Sequence, residues 1–287
     1  MPYTAEISRT NPSCILFLID QSGSMSDPFG GQPGRSKAER LADAINRLLF
    51  ELTIRCTKDQ SEGVRNYYEV GVIGYGPQVG PALADPVTEI VMNQRRALIP
   101  ISEVADNPAR IEERRRRVED GAGGLIEETV RFPIWFDPEA ANGTPMGAAF
   151  QMAYAILEPW TLAHPNSFPP IMINITDGEP NPDSDPRGPA DAIRRLGTRD
   201  GTVLLFNLHL SSHPGAPIMY PESDAGLPDL FARMLFQISS PLPPHIQHAA
   251  RSEQYVIGSQ ARGFVFNADI VEVIKFIDIG TRPRGLR

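Results

Sequence analysis

Apolar residues fill every position from Cys14 to Ile19, and the run breaks at Asp20-Gln21-Ser22-Gly23-Ser24. An unbroken run of that kind fits a strand buried on both faces of a parallel sheet, here over 13–19. The same signature returns over 171–176, ending in Thr176-Asp177-Gly178, and over 202–210. Residues 68–75 predict another strand, with Val70, Val72 and Ile73 turned inward, and 263–266 predict the last. Between these runs the apolar period changes to that of a helix. Ala38, Leu41, Ala42, Ile45, Leu48, Leu49 and Leu52 share one face, and Ser36-Lys37-Ala38-Glu39 reads as a capping box at its start. Met146, Ala149, Met152, Ala153, Ile156 and Leu157 mark a second helix, expected to stop near Pro159. Further helices are expected over 189–196, over 228–238 and over 269–279, the last capped by Asp269 and running through Phe276 and Ile277.

The stretch 77–141 is less regular. Residues 87–92 predict a short strand. Residues 110–119 predict a charged helix, with Arg114 to Arg117 paired at four-residue spacing to Glu112, Glu113 and Glu119. Residues 127–136 predict an edge strand, because Pro133 cannot donate to a central ladder. Strand and helix alternate nearly throughout, which argues a doubly wound α/β architecture. At 287 residues the chain is long enough for one elaborated domain or two small ones. Its 28 prolines gather between the periodic segments and imply long ordered loops, one of them over 211–227.

Charge and cysteine content narrow the function classes. Lys and Arg number 27 against 35 Asp and Glu, so the net charge is −8, and a face that neutralises phosphates is not expected. No nucleic-acid partner follows. No apolar run approaches bilayer length, and the first residues show no basic-then-apolar leader. Neither a membrane partner nor a secretory signal is expected. Cys14 falls within a core strand and Cys56 near a helix end, which suits two free thiols in a reducing, cytoplasmic setting.

The candidate chemistry lies just past the strand ends, where open α/β sheets place their sites. Asp20, Ser22 and Ser24 form a set of hard oxygen donors, suited to Mg²⁺, Mn²⁺ or Ca²⁺ rather than zinc. Asn142-Gly143-Thr144-Pro145 precedes the second helix, and Thr176-Asp177-Gly178 closes the 171–176 strand. Each element also has an ordinary explanation. Asp20 could close an Asx turn, Thr144 could cap a helix that begins with Pro145, and Asp177-Gly178 could be a plain turn. Their joint occurrence at three element ends favours a metal. His209, His213, His245 and His248 offer a zinc alternative, without a cysteine beside them.

In these three segments the chain resembles the von Willebrand factor A (VWA) family, also called the integrin I-domain family. The resemblance is to its metal-ion-dependent adhesion site, and it maps onto Asp20, Ser22, Ser24, Thr144 and Asp177. It implies a mostly parallel six-stranded sheet in the order 3-2-1-4-5-6, strand three antiparallel, with helices on both faces. It implies one VWA domain over 1–287 with an insertion within about 77–141. It further implies that Ser22, Ser24 and Thr144 bind the ion directly, while Asp20 and Asp177 act largely through water. The ion, Mg²⁺ by preference, would then take a Glu or Asp carboxylate from a protein partner. Asp27, Glu179 and Asp183 would rim that contact. Asp20-Gln21-Ser22-Gly23-Ser24-Met25, Asn142 to Met146, Thr176 to Pro180 and Gly263 to Asp269 look most like stand-alone bacterial VWA proteins of the tellurium-resistance type. Relatives of that kind point to protein kinases, PP2C-type phosphatases or AAA+ ATPases as partners. The expectation is an adaptor or regulatory subunit and not an enzyme. A metal-dependent hydrolase acting on a phosphate or ester is the alternative. Against it, Ser22 stands where a phosphatase of the haloacid-dehalogenase type has its second Asp, and no Gly-x-Ser-x-Gly elbow surrounds Ser24.

Overall fold

The computed structural model describes residues 3–28, 34–57, 62–83, 96–119, 125–210, 216–268 and 270–281. In chain order the elements are β1 (Ser13–Asp20), α1 (Lys37–Arg55), β2 (Tyr68–Tyr75), β3 (Val79–Pro81), β4 (Ile99–Pro100) and α2 (Ile101–Asp106). Then come β5 (Arg110–Glu119), β6 (Leu125–Ile134), α3 (Met146–Ala163), β7 (Ile171–Thr176), α4 (Arg187–Ile193), β8 (Gly197–Thr198) and β9 (Gly201–Thr202). The last described elements are β10 (Leu204–His209), β11 (Ile218–Met219), α5 (Leu230–Ile238), α6 (Pro244–Ser252), β12 (Phe264–Phe266) and α7 (Ile270–Thr281).

The fold is α/β, with a central, mostly parallel sheet between two layers of helices. Across the sheet the strands run β11-β12-β10-β7-β1-β2-β3, with β4 also paired to β2. β1 pairs in parallel with β2 and β7, and β10 with β7 and β12. β3 joins β2 antiparallel. The six strands β3-β2-β1-β7-β10-β12 therefore follow the expected 3-2-1-4-5-6 order, with the third antiparallel. Among the described residues the sheet has eight strands where six were expected, because β4 and β11 add two-residue antiparallel pairings too short to show a period.

Every residue of β1 and β7 is buried, as a strand covered on both faces requires. Ile15, Phe17 and Ile19 pack with Leu41, Ile45, Leu48 and Leu52 of α1 and with α2, α6 and α7 on one face. Leu16 and Leu18 pack with Phe150, Ala153 and Leu157 of α3 and with α4 and α5 on the other. Alternate residues of one apolar run thus serve two cores. Ser36 caps α1 as expected: its Oγ accepts from Glu39 N at 3.2 Å, and the Glu39 carboxylate accepts from Ser36 N at 2.8 Å.

Polar residues thread the interior beside the sheet. Tyr75 Oη donates to Asn174 Oδ1 at 2.8 Å, Asn174 Nδ2 donates to Asn207 Oδ1 at 3.0 Å, and Asn207 Nδ2 donates to Ser239 Oγ at 2.9 Å. The chain of bonds links β2, β7, β10 and the end of α5. Tyr75→Phe keeps the ring and strips Asn174 Oδ1 of that donor. The expected cost is about 1–2 kcal/mol, read as a lower urea midpoint at unchanged slope.

Several expectations need correction. Residues 110–119 are not a helix. They form β5, paired antiparallel with β6 from Arg110 opposite Ile134 to Glu119 opposite Leu125, in a ribbon apart from the main sheet. Charges that suit helical four-residue spacing also suit a ribbon, where Glu113 faces Arg131 across the strands. Arg114 shows what decides it: its guanidinium lies 4.1 Å over the Phe132 ring and bonds Asp43 at 2.9 Å, tying the ribbon to α1. α3 runs past Pro159 to Ala163. The turn after the proline is held by buried Trp160, whose Nε1 donates to Glu69 of β2 at 2.8 Å. Pro243-Pro244 opens α6, a helix beyond those expected; a proline at the first helical position loses no bond. The expected strand over 202–210 is split into β9 and β10. The expected strand over 87–92, the Asp269 cap, the Ile277 side chain and His213 lie outside the described residues.

Candidate metal centre

β1 and β7 are parallel neighbours, so Asp20 at the end of one and Thr176-Asp177 at the end of the other leave the sheet side by side. Asp20 is buried and both its oxygens are engaged. Oδ1 accepts from Ser22 N at 2.8 Å, and Oδ2 accepts from Thr176 Oγ1 at 2.6 Å. The Asx turn considered from the sequence is therefore present, and it aims the following loop at Asp177. Burial pushes the Asp20 carboxyl up to about 6, against the opposing pull of the Thr176 and Ser22 hydrogen bonds; the negative charge of Asp177 adds to the rise.

Past Asp20, a 3-10 turn over Gly23–Ser26 folds the two serines onto the same carboxylate. Ser24 Oγ donates to Asp177 Oδ1 at 2.7 Å, Ser22 Oγ lies 3.5 Å from the same oxygen, and the two hydroxyls are 3.1 Å apart. Four of the five expected ligands, Asp20, Ser22, Ser24 and Asp177, thus meet within one network. Ser24 is exposed, whereas the Asp177 side chain is fully buried, so the network opens to solvent on the hydroxyl side.

Thr144 reaches the same end of the sheet through backbone contacts. Ala141 N donates to Gln21 O at 2.7 Å, and Gln21 Nε2 donates to Glu139 at 3.2 Å. Gln21 can lie there because residue 74 is glycine: a Cβ would sit 2.1 Å from Gln21 Oε1. Gly143, at φ +88°, turns the chain before Thr144. Asn181 of the loop after β7 then clamps Thr144, with Thr144 N donating to Asn181 Oδ1 and Asn181 N donating to Thr144 O, both at 2.9 Å. Thr144 does not cap α3; Pro145 holds that position, without a side-chain cap bond.

The expected rim is exposed. Asp27 follows the 3-10 turn, while Glu179 and Asp183 lie on the loop that carries Asn181. The histidine alternative does not assemble: among the described residues no group of three or more His, Cys, Asp or Glu side chains could hold a metal. His209 is buried and stacks on Phe266 at 5.0 Å, and His245 meets the edge of Phe168. Cys14 and Cys56 are free and buried, and burial pushes the Cys56 thiol up to about 12.

Sequence reasoning missed two residues here. Thr176 orients Asp20, as given above. Lys37, the first residue of α1, is fully buried with its Nζ 2.6 Å from Asp177 Oδ2. Its signal was available, since Lys37 is in phase with Leu41, Ala44 and Leu48 on the apolar face of that helix.

The donor set fits a hard divalent cation. Two carboxylates and two hydroxyls converge, all through oxygen, and the Ser24 side faces water, from which such a cation keeps part of its shell.

No protein-family model and no curated protein matches the chain. Among solved structures it is similar to the manganese-loaded Plasmodium vivax TRAP protein at 14% identity and a TM-score of 0.43, over 93% of this chain and 72% of that one. It is similar to proximal thread matrix protein 1 of the mussel byssus at 12% identity and a TM-score of 0.43, over 98% of this chain and 49% of that one. A structure of the same mussel protein with a zinc-occupied MIDAS motif is similar at 13% identity and a TM-score of 0.39, over 83% of this chain and 43% of that one. The chain thus spans about half of the mussel protein. What the site can hold follows from its own residues. Among those described, no helix is long and apolar enough to cross a membrane.

Proposed function

We propose that this chain is a VWA-type interaction module, in which a divalent cation held by Ser22, Ser24 and Thr144, with Asp20 and Asp177 behind them, receives a carboxylate from a protein partner. The observation that carries the reading is the sharing of Asp177 Oδ1 by the Ser22 and Ser24 hydroxyls beside buried Asp20. When bound, the ion supplies a Lewis-acidic seat for an anionic ligand, and Mg²⁺ suits a site that keeps water. The chain's own residues do the positioning. Thr176 and the Ser22 amide fix Asp20, Gln21 and Asn181 seat the Thr144 segment, and the open side lies at Ser24.

The reading is binding rather than catalysis. Ser24 donates directly to a carboxylate and not to an imidazole that could pass its proton on. Asp27, Glu179 and Asp183 would repel a wrongly placed acidic surface and so select the partner's orientation. An adaptor or regulatory subunit in the cytoplasm suits this chemistry. Kinases, PP2C-type phosphatases or AAA+ ATPases offering an exposed Glu or Asp are the partner classes that the sequence resemblance suggests.

Calorimetric titration with Mg²⁺ and Mn²⁺ tests the site, and affinity capture with and without EDTA tests its use. Thr144→Ala is expected to lose at least about tenfold in cation affinity and to lose EDTA-sensitive capture. Capture that persists in Thr144→Ala without bound metal would reduce the ion to a loop brace.

A further inference from the structure

Lys37 stands in the least favourable place for a cation. It is buried completely, and it opens a helix, where the macrodipole is positive. Taking an ammonium from water costs several kcal/mol unless it is paired and hydrogen-bonded. What offsets that cost is Asp177, whose Oδ2 lies 2.6 Å from Nζ, with Ser24 O at 3.4 Å and Asp27 Oδ2 at 3.9 Å. The two oxygens of Asp177 thus face different ways. Oδ1 takes the serine hydroxyls, and Oδ2 takes the ammonium.

The consequence is a matter of charge. Asp20 and Asp177 bring two negative charges to the site, and Lys37 returns one positive charge. Counting only the two buried carboxylates and Lys37, a divalent ion there is left with a net surplus of one, against none if position 37 were neutral; the half-exposed Asp27 carboxylate is screened by water and is present in either case. We infer that Lys37 is a specificity-determining residue: by neutralising Asp177 from behind, it weakens the site's hold on the bare ion and makes the loaded site select an anionic over a neutral ligand. Lys37 acts through Asp177, being too buried to touch a ligand itself. The inference rests on the proposed metal site and adds the reason that site favours a carboxylate.

Lys37→Met keeps the stem and removes the charge. Two measurements follow, with Mn²⁺ as the ion and acetate against acetamide as matched anionic and neutral probes. Lys37→Met is expected to bind Mn²⁺ about tenfold or more tighter than wild type, because a full positive charge 2.6 Å from Asp177 Oδ2 no longer opposes the cation. The Mn²⁺-loaded variant should prefer acetate over acetamide by about tenfold less than wild type does. Lys37→Arg, which keeps the charge, should follow wild type in both. If Lys37→Met does not fold, Lys37→Gln replaces it, retaining an N–H for Asp177 Oδ2. Unchanged or weaker Mn²⁺ affinity in the neutral variant, or an unchanged probe ratio, overturns the inference and leaves the metal site standing. Failure of wild type to bind Mn²⁺ overturns the proposed function instead.

Discussion

Saturating Mn²⁺ is expected to raise the melting temperature of the wild-type chain by about 5–10 °C and to leave that of Asp20→Asn unmoved. An ion present at a hundred times its dissociation constant stabilises the folded state by about 2.7 kcal/mol. Each kcal/mol moves the melting temperature of a chain of this size by about 2–4 °C. The variant is chosen to separate binding from folding. Asparagine matches the shape of Asp20 and keeps Oδ1 for the Ser22 amide. The Thr176 hydroxyl, which now donates to Asp20 Oδ2, can rotate to accept from the new amide. The metal-free baseline should not fall. Burial raises the folded-state carboxyl to about 6, above the ordinary aspartate value. The folded chain therefore holds that proton more tightly than the unfolded one, and stability is lost as pH rises from about 4 to about 6. At neutral pH the wild type bears that cost in full and Asp20→Asn does not. The metal-free variant should melt at or above wild type at pH 7, with the gap closing toward pH 4. Equal Mn²⁺ shifts in the two proteins would place the cation elsewhere.

The parts legible in the sequence are those whose cause is local. β1 and β7 show themselves because strands covered on both faces need continuous apolar runs, and their polar ends then mark the site. Asp20, Ser22, Ser24 and Asp177 were readable for that reason. The ribbon of β5 and β6 was not, because its dense charge fits helical spacing as well as cross-strand pairing, and a partner strand is no property of one segment. The same limit hid the partners of the two polar residues in α1. A lysine or asparagine among apolar helix positions announces a need for a partner without naming it. Lys37 finds Asp177 at a separation of 140 residues, and Asn46 finds the backbone of Phe136 at a separation of 90.

Asn46 carries the second large effect. It is 2% exposed, and its one amide holds four groups. Nδ2 donates to Ala42 O at 2.9 Å and to Phe136 O at 2.7 Å, while Oδ1 accepts from Trp135 N at 2.8 Å and Phe136 N at 3.0 Å. Three of the four belong to the backbone just after β6, a stretch whose Trp135 and Phe136 side chains are themselves in the core. That stretch leads to Glu139 and Ala141, which meet Gln21, and on to Thr144. One side chain of α1 therefore anchors the arm that carries Thr144, the fifth candidate ligand, to the same end of the sheet. Asn46→Ala leaves three backbone polar groups without that partner. At about 1–3 kcal/mol for each buried group stranded, and with partial relaxation, the expected loss is about 3–5 kcal/mol in urea unfolding. A fall in Mn²⁺ affinity should accompany it under conditions where the variant is still folded, because Thr144 is then less firmly placed. Asn46→Asp sharpens the test. It keeps the acceptor for Trp135 N and Phe136 N but replaces the donor to Phe136 O with charge in a buried site. If the arm is held chiefly through those two amides, Asn46→Asp should recover stability to urea relative to Asn46→Ala at acidic pH, where its carboxyl is neutral. Equal affinities in wild type and Asn46→Ala would show that Gln21 and Asn181 suffice to seat Thr144.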